Sequence, residues 1–222
     1  MLKRLLDILL SSMALVVFLP FSLVIALVLR LTGEGEVFFT QPRVGRGGRL
    51  FPVIKFATMR KDSQTTGTGL LTIKEDPRIL PVGRFLRKMK LNEVPQLLNI
   101  LAGQMSIIGP RPQAEPHFRL YSEAVQKQLM TIRPGLSGIG SIVFRNEEEH
   151  LSTNPLNAAE AYAHEIAAYK GELELWYVRH RSVGLDILLI LLTIWVVMVP
   201  RSLAYRRLLR DLPPPPDTGM RL

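Results

Sequence analysis

Arg84-Phe-Leu-Arg-Lys-Met-Lys-Leu-Asn-Glu-Val-Pro-Gln-Leu-Leu-Asn-Ile-Leu-Ala-Gly-Gln-Met-Ser-Ile-Ile-Gly-Pro-Arg-Pro112 concentrates the unusual residues of this chain. Arg84, Arg87 and Lys88 recur at i, i+3 and i+4, so a helix would gather them on one cationic face and pack Phe85 and Met89 on the other. Val94, Leu97, Leu98 and Leu101 give a second apolar stripe at helical spacing, with Gly103 suited to stop it. Between the two lies Leu91-Asn92-Glu93. Pro95 is tolerated only in a first turn, so the second helix is expected to begin near Asn92, a good N-cap type. Its free N–H groups and positive dipole end would then face the basic stripe, a junction that favours phosphate. The competing reading is an ordinary helix hairpin with a solvated Lys/Arg face.

The flanks favour the functional reading. Asp76-Pro-Arg-Ile precedes the stretch and Gly109-Pro-Arg-Pro112 ends it, so proline-stiffened turns carry Arg78 and Arg111 on either side. Together these blocks resemble the core of the bacterial sugar transferases, the monotopic phosphoglycosyl transferases. That pattern runs roughly D-P-R, G-R-F-L-R-K, L-D-E-L-P-Q-L, N-V-L-G-D-M-S, G-P-R-P, and every block is present in order. Val37-Phe-Phe-Thr, Lys55-Phe-Ala-Thr-Met59 and Arg133-Pro-Gly-Leu-Ser-Gly138 extend the likeness, as does Trp176-Tyr-Val178 followed by Ser182 and Asp186-Ile.

Length and composition agree with one domain. The 222 residues are 47% hydrophobic and include no cysteine, so disulfides and thiolate metal sites are excluded. The net charge of +9 accompanies long apolar stretches near both ends, which points to a membrane surface and anionic lipids instead of nucleic acid. Ile8 to Leu29 carries no charge and makes roughly 33 Å of helix, enough for one crossing. Pro20 is expected to bend it, and basic residues on both flanks want the cytoplasmic side, so a helix that turns back is expected. A plain span is the alternative; a signal peptide lacks its cleavage site. Leu50 to Phe56 pairs with the strand at Val37 as a basic hairpin, with Pro52 restricting the second strand to an edge. Ser63 to Gly69 reads as a mobile surface loop able to close over substrate, and His117 to Met130 as a helix. Trp176 and Tyr177 read as an interfacial anchor before Ile187 to Val199, whose roughly 20 Å of helix is short for a span. Pro213 to Pro216 reads as an extended tail.

The fold expected is α+β, a mainly helical compact domain with a short β-hairpin. Residues 1–32 form a re-entrant membrane helix bent at Pro20, residues 33–182 the catalytic domain, residues 183–210 a membrane-associated helix along the interface, and residues 211–222 a Pro-rich tail. The resemblance implies transfer of a sugar phosphate from a nucleotide diphosphosugar, usually a UDP-sugar, to polyprenyl phosphate. UMP is released at the cytoplasmic face of the bacterial inner membrane, and glycan assembly begins, as in exopolysaccharide synthesis. Larger relatives would add an N-terminal multispan region, this chain being the minimal form.

In that family the Asp of the Asp-Glu pair attacks the phosphate nearest the sugar and the Glu helps hold Mg²⁺. Here the pair is Asn92-Glu93, and a carboxamide is a poor nucleophile. Glu93 is the candidate catalytic and Mg²⁺-binding residue, with Asn92 beside it. Lys55, Arg78, Arg87, Lys88, Arg111 and Arg133 are candidates for diphosphate charge, arginine being suited to bidentate contacts. Ala57 replaces a usual Arg, and Ser141 to Glu149 departs from the family pattern; its acidic run reads as a polar helix face. No zincin, P-loop or dinucleotide fingerprint is present. Three functions stay open: an active transferase, a silent membrane-bound relative that binds the same ligands or scaffolds other enzymes, and basic surface association without sugar chemistry. The oligomeric state is open, a homodimer among the options.

Overall fold

In the computed structural model, which describes residues 1–152, 158–200 and 202–216, the side chains of His150 and Glu165 excepted, the apolar N-terminal stretch forms one helix, α1 (Leu2–Leu31). It runs unbroken past Pro20. Both halves of α1 meet the rest of the protein: Asp7, Ser11 and Leu29 are buried, with Ala14, Leu15 and Ile25 packed against core clusters. Leu5, Leu9, Val16, Leu23 and Leu27 on its other faces are bare. Polar ties fix its first turns. Arg4 donates to the carbonyls of Ile100 (2.6 Å) and Leu101 (2.9 Å), Asp7 accepts from the Ser106 hydroxyl and the Ile107 N–H, and Lys3 pairs with Asp186 at 2.6 Å.

The expected hairpin is present as β1 (Phe38–Val44) and β2 (Leu50–Phe56), antiparallel with Pro42 opposite Pro52 in a two-stranded ribbon, where edge prolines are tolerated. The Asn99 side chain stitches the ribbon to the helices, accepting from Ile54 N–H (3.0 Å) and donating to Pro52 O (2.8 Å). Next come α2 (Pro81–Lys88) and α3 (Gln96–Leu101). A Cβ on Gly83 would overlap the Thr58 carbonyl, so glycine lets α2 approach the segment that follows β2. The packing faces differ from expectation: Leu86 is the buried side chain of α2, whereas Phe85 and Met89 are exposed, as is Leu98 in α3. Spacing set which residues share a face, but which face met the core depended on partners distant in sequence.

Beyond α3 lie β3 (Ser106–Ile108), α4 (Glu115–Phe118), α5 (Glu123–Leu129), β4 (Gly135–Ser137), α6 (Ile139–Val143), α7 (Glu147–Leu151) and α8 (Ala158–Ala161). A π-helical turn, Tyr162–Ile166, leads into α9 (Ala167–His180), then α10 (Val183–Met198) and α11 (Ala204–Leu208). β3 and β4 pair in parallel, a contact that sequence pattern did not indicate. The single helix expected over 117–130 is two, because Tyr121 turns into the core and Ser122 caps α5 by accepting from Val125 N–H. Trp176 and Tyr177 are not an interfacial anchor. Both are buried, and the Tyr177 hydroxyl lies 2.6 Å from Asp186. The exposed apolar residues of the C-terminal segment include Leu191, Ile194, Trp195 and Met198 of α10 and, beyond it, Val199, Leu203 and Leu208. The tail is held at Pro213, whose carbonyl accepts from Tyr169 at 2.9 Å; residues 217–222 and Arg201 lie outside the described residues.

Candidate active site

A cleft of about 920 Å³ opens between the hairpin, α2, the 91–93 turn, the 109–113 turn and α7. Its centre is Glu93. Lys90 adopts a left-handed conformation (φ 58°) that ends α2 and starts a 3₁₀ turn, Leu91–Glu93. Asn92 is therefore inside that turn and does not cap a helix, and α3 starts only at Gln96. The N–H groups of Glu93 and Val94 are spent on Lys90 O and Leu91 O, so the expected helix-end anion site is not formed at Asn92. What the turn does is drive both side chains inward: Asn92 and Glu93 are buried, and Asn92 Oδ1 has no hydrogen-bond partner.

Cations surround this carboxylate. Arg111 reaches it with both terminal nitrogens, at 2.6 Å and 3.4 Å, and Lys55 Nζ stands 3.8 Å away. Burial alone would raise the Glu93 carboxyl; the charges of Arg111, Lys55 and Lys90 outweigh it and hold the group well below the usual carboxylate range. Lys55 is pushed down to about 7 by burial and by the charges of Arg111, Arg43 and Arg87, against the opposing pull of Glu93. Burial and neighbouring cations likewise bring His117 down to about 4, leaving it neutral at pH 7. Beneath the 109–113 turn, buried Glu174 accepts the Arg111 N–H at 3.1 Å and is raised to about 7 by burial.

Of the residues singled out from sequence, Lys55, Arg87, Lys88, Arg111, Asn92 and Glu93 share this cleft. Arg78 does not line it. It is buried against Asp76 (2.6 Å) and donates to the carbonyls of Ser63, Thr66, Gly69 and Leu71 and to the Thr68 hydroxyl. The 63–69 segment is accordingly organised around one guanidinium and forms part of the cleft wall; it is not a free loop. Arg133 also lies elsewhere, donating to Gly103 O at 2.7 Å. Pro20 is on the bare side of α1.

The acidic run is more than a polar helix face: Glu148 and Glu149 stay partly exposed, yet all three glutamates are paired. Glu148 pairs with Arg87 at 2.6 Å and Glu147 with buried Lys170 at 2.7 Å, both within the cleft, while Glu149 meets Lys74 at 2.9 Å. Sequence reasoning missed Lys170, Tyr162, Gln113 and the role of His117, since each is an isolated polar residue whose partners are remote in the chain. The only signal was a lysine set among apolar residues in Ala167-Ala-Tyr-Lys-Gly-Glu-Leu173.

Among the described residues no group of three His, Asp or Glu side chains is arranged for a metal ion. The donors at the centre are the Glu93 carboxylate and the unpartnered Asn92 oxygen. That set fits Mg²⁺ held largely by substrate phosphates and water, since this ion commonly takes only one or two protein carboxylates.

The chain matches the family model described as bacterial sugar transferase over residues 1–200. It is 33% identical over 216 residues to the exopolysaccharide production protein ExoY of Rhizobium meliloti, covering 91% of this chain and 88% of that protein. It is 34% identical over 203 residues to the UDP-glucose:undecaprenyl-phosphate glucose-1-phosphate transferase of Klebsiella pneumoniae, covering 90% of this chain and 41% of that one. The undecaprenyl-phosphate galactose phosphotransferase of Salmonella typhimurium is 34% identical over 212 residues, with 89% of this chain and 40% of the relative covered. The chain thus spans about two fifths of the length of the latter two and most of ExoY.

Proposed function

The chain belongs to the bacterial sugar transferase family, and on that premise we propose that it moves a sugar 1-phosphate from a UDP-sugar to polyprenyl phosphate, releasing UMP. The observation that carries this reading is a cationic cleft one packing layer from α1, whose Leu29 packs with Phe56, Leu86 and Leu91 while its outer faces are bare hydrocarbon. One substrate is a soluble polyanion and the other a phosphate on a lipid, and such a placement suits both. α1 is long and apolar enough to cross a membrane. Its two ends nevertheless dock on the same folded unit, through Lys3 and Arg4 at one end and Leu29 at the other, which favours both ends of residues 1–32 lying at one leaflet. The catalytic residues 33–182 and the α10 segment, within 183–210, would then sit at the cytoplasmic face of the inner membrane.

Asn92 bears on the chemistry. With no carboxylate at that position, and with both Glu93 oxygens engaged by Arg111, we favour direct transfer: an oxygen of polyprenyl phosphate attacks the phosphorus nearest the sugar. The bond from that phosphorus to the oxygen bridging it to UMP breaks, and UMP leaves with the electron pair. Arg111, Arg87, Lys55 and Arg43 would stabilise the charge on the transferring group, and Glu93 would hold Arg111 and Lys55 in place. The unpartnered Asn92 oxygen and a remaining lone pair of Glu93 would hold Mg²⁺, whose chemistry there would be to neutralise diphosphate charge.

Membranes containing the chain, given polyprenyl phosphate, Mg²⁺ and a panel of labelled UDP-sugars, are expected to yield labelled polyprenyl diphosphate-sugar and UMP. No lipid-linked product with any donor would refute transfer. Asn92 is the observation favouring the second reading, a silent relative, which predicts donor binding without turnover.

A further inference from the structure

Within the cleft, Arg43, Gln113, His117, Tyr162, Lys170 and Glu147 line a polar recess. Gln113, Tyr162 and Lys170 are each more than nine-tenths buried. Lys170 and Glu147 form an ion pair at 2.7 Å, with the ammonium 5.4 Å from the Tyr162 ring centre. The Tyr162 Oη is buried without a partner, and the Gln113 side chain has only the buried Tyr121 hydroxyl beside it. A buried hydroxyl without a hydrogen bond costs stability, so a fold that keeps one in this recess, beside a buried amide and a donor-and-acceptor ion pair, is suited to a ligand that supplies the missing bond.

We propose that this recess holds the hexosyl group of the donor through its hydroxyls. The inference rests on the transfer reading above and extends it by assigning the sugar a place. Adjacency supports it. Arg43 donates to the carbonyl of Pro112 at 3.5 Å, and Pro112 stands between Arg111 of the phosphate clamp and Gln113 of the recess, so the two are adjacent, as a sugar must lie one ester bond from its phosphate. The nucleobase fits less well here. The aromatic faces of the recess, His117 and Tyr162, are already packed on each other with centroids 4.7 Å apart, leaving no slot between them for a base. Hydroxyl recognition by buried polar groups also discriminates strongly, because an analogue lacking the hydroxyl leaves those groups unpaired.

The test is calorimetric binding of UDP, UDP-glucose and UDP-galactose to the full-length protein in lipid nanodiscs, for the wild type, Tyr162→Phe and Gln113→Leu. Thermal melts check folding, and Tyr162→Phe keeps the ring and its packing. The expected result is about tenfold weaker binding of at least one UDP-hexose in each variant, with UDP affinity unchanged, tenfold being the scale of one lost buried hydrogen bond. Equal weakening of UDP and UDP-hexose would place the nucleotide in the recess and overturn the assignment. So would unchanged affinity for every ligand in both variants. A protein that shows the sugar-specific loss but makes no lipid-linked product keeps the recess and loses the transfer reading; one that binds neither UDP nor UDP-hexose loses both.

Discussion

Replacing Glu93 by Gln removes one charge from the middle of a cationic cluster and keeps the shape. In the native protein the Glu93 side chain is 11% exposed, Lys55 21% and Arg111 30%. Breaking a fully buried pair costs about 3–5 kcal/mol because the remaining charge is left uncompensated. With Arg111 nearly a third exposed, water recovers part of this, and a cost of about 2–3 kcal/mol is expected. For a chain of this size each kcal/mol lowers the melting temperature by about 2–4 °C, so the loss comes to about 4–12 °C. The sign with pH is fixed by the direction of the shift. Glu93 is held below its unfolded value, so its contribution is present above about pH 4.3, the unfolded carboxyl, and is lost as pH falls toward its lower folded value. Activity should fall further than stability does. Without Glu93 the Arg111 fork has no fixed anchor, and Lys55 loses the one neighbour that favours its charge. Removing a preorganised charge partner of this kind costs about 10²–10³ in turnover, and the loss of two positioned cations should carry activity to the assay floor. The assay is lipid-linked product formation in nanodiscs at a temperature well below both melting points. Full activity in Glu93→Gln, with the melting temperature lowered as expected, would show Glu93 to be structural and remove it from the reaction.

Asn92→Asp should preserve or raise turnover; with a sugar-labelled donor and no acceptor, the wild-type chain should stay unlabelled, and label trapped on a wild-type peptide would refute direct transfer. Glu148→Gln frees Arg87 from an internal anion, so KM for the donor should fall several-fold, on the order of one partly exposed ion pair; an unchanged or higher KM would mean that Arg87 does not meet the donor. Because burial pushes the Lys55 ammonium down to about 7, its charge is present below that pH and lost above it, so donor affinity should weaken from pH 6 to pH 8. Lys55→Arg should flatten that profile, and a persistent slope would transfer it to Glu174, which titrates in the same window. For topology, Leu2→Cys and Gly33→Cys in a chain without other cysteines should label from the same side of sealed vesicles, and labelling from opposite sides would make α1 a span.

Local pattern determined much of this protein. The uncharged run of α1, the hairpin across Gly45 to Arg49, and the break between two helices near Asn92 and Glu93 follow from apolar length, alternation and the placement of proline and glycine, all properties of neighbours in the chain; the 3₁₀ form of that break, begun by left-handed Lys90, does not. Tertiary structure decided which charges work. Asp76-Pro-Arg78 and Gly109-Pro-Arg111 are similar proline turns in sequence, yet Arg78 is consumed by an aspartate and a ring of carbonyls while Arg111 grips Glu93 in the open cleft. The same holds for Glu147 and Glu148, whose partners Lys170 and Arg87 lie far along the chain, and for Phe85 and Leu86, adjacent residues of which only the second found a core. A side chain's type states what it can bond to. Whether those bonds are made to protein, water or ligand depends on which distant surfaces fold against it, and that long-range term is absent from any local window of sequence.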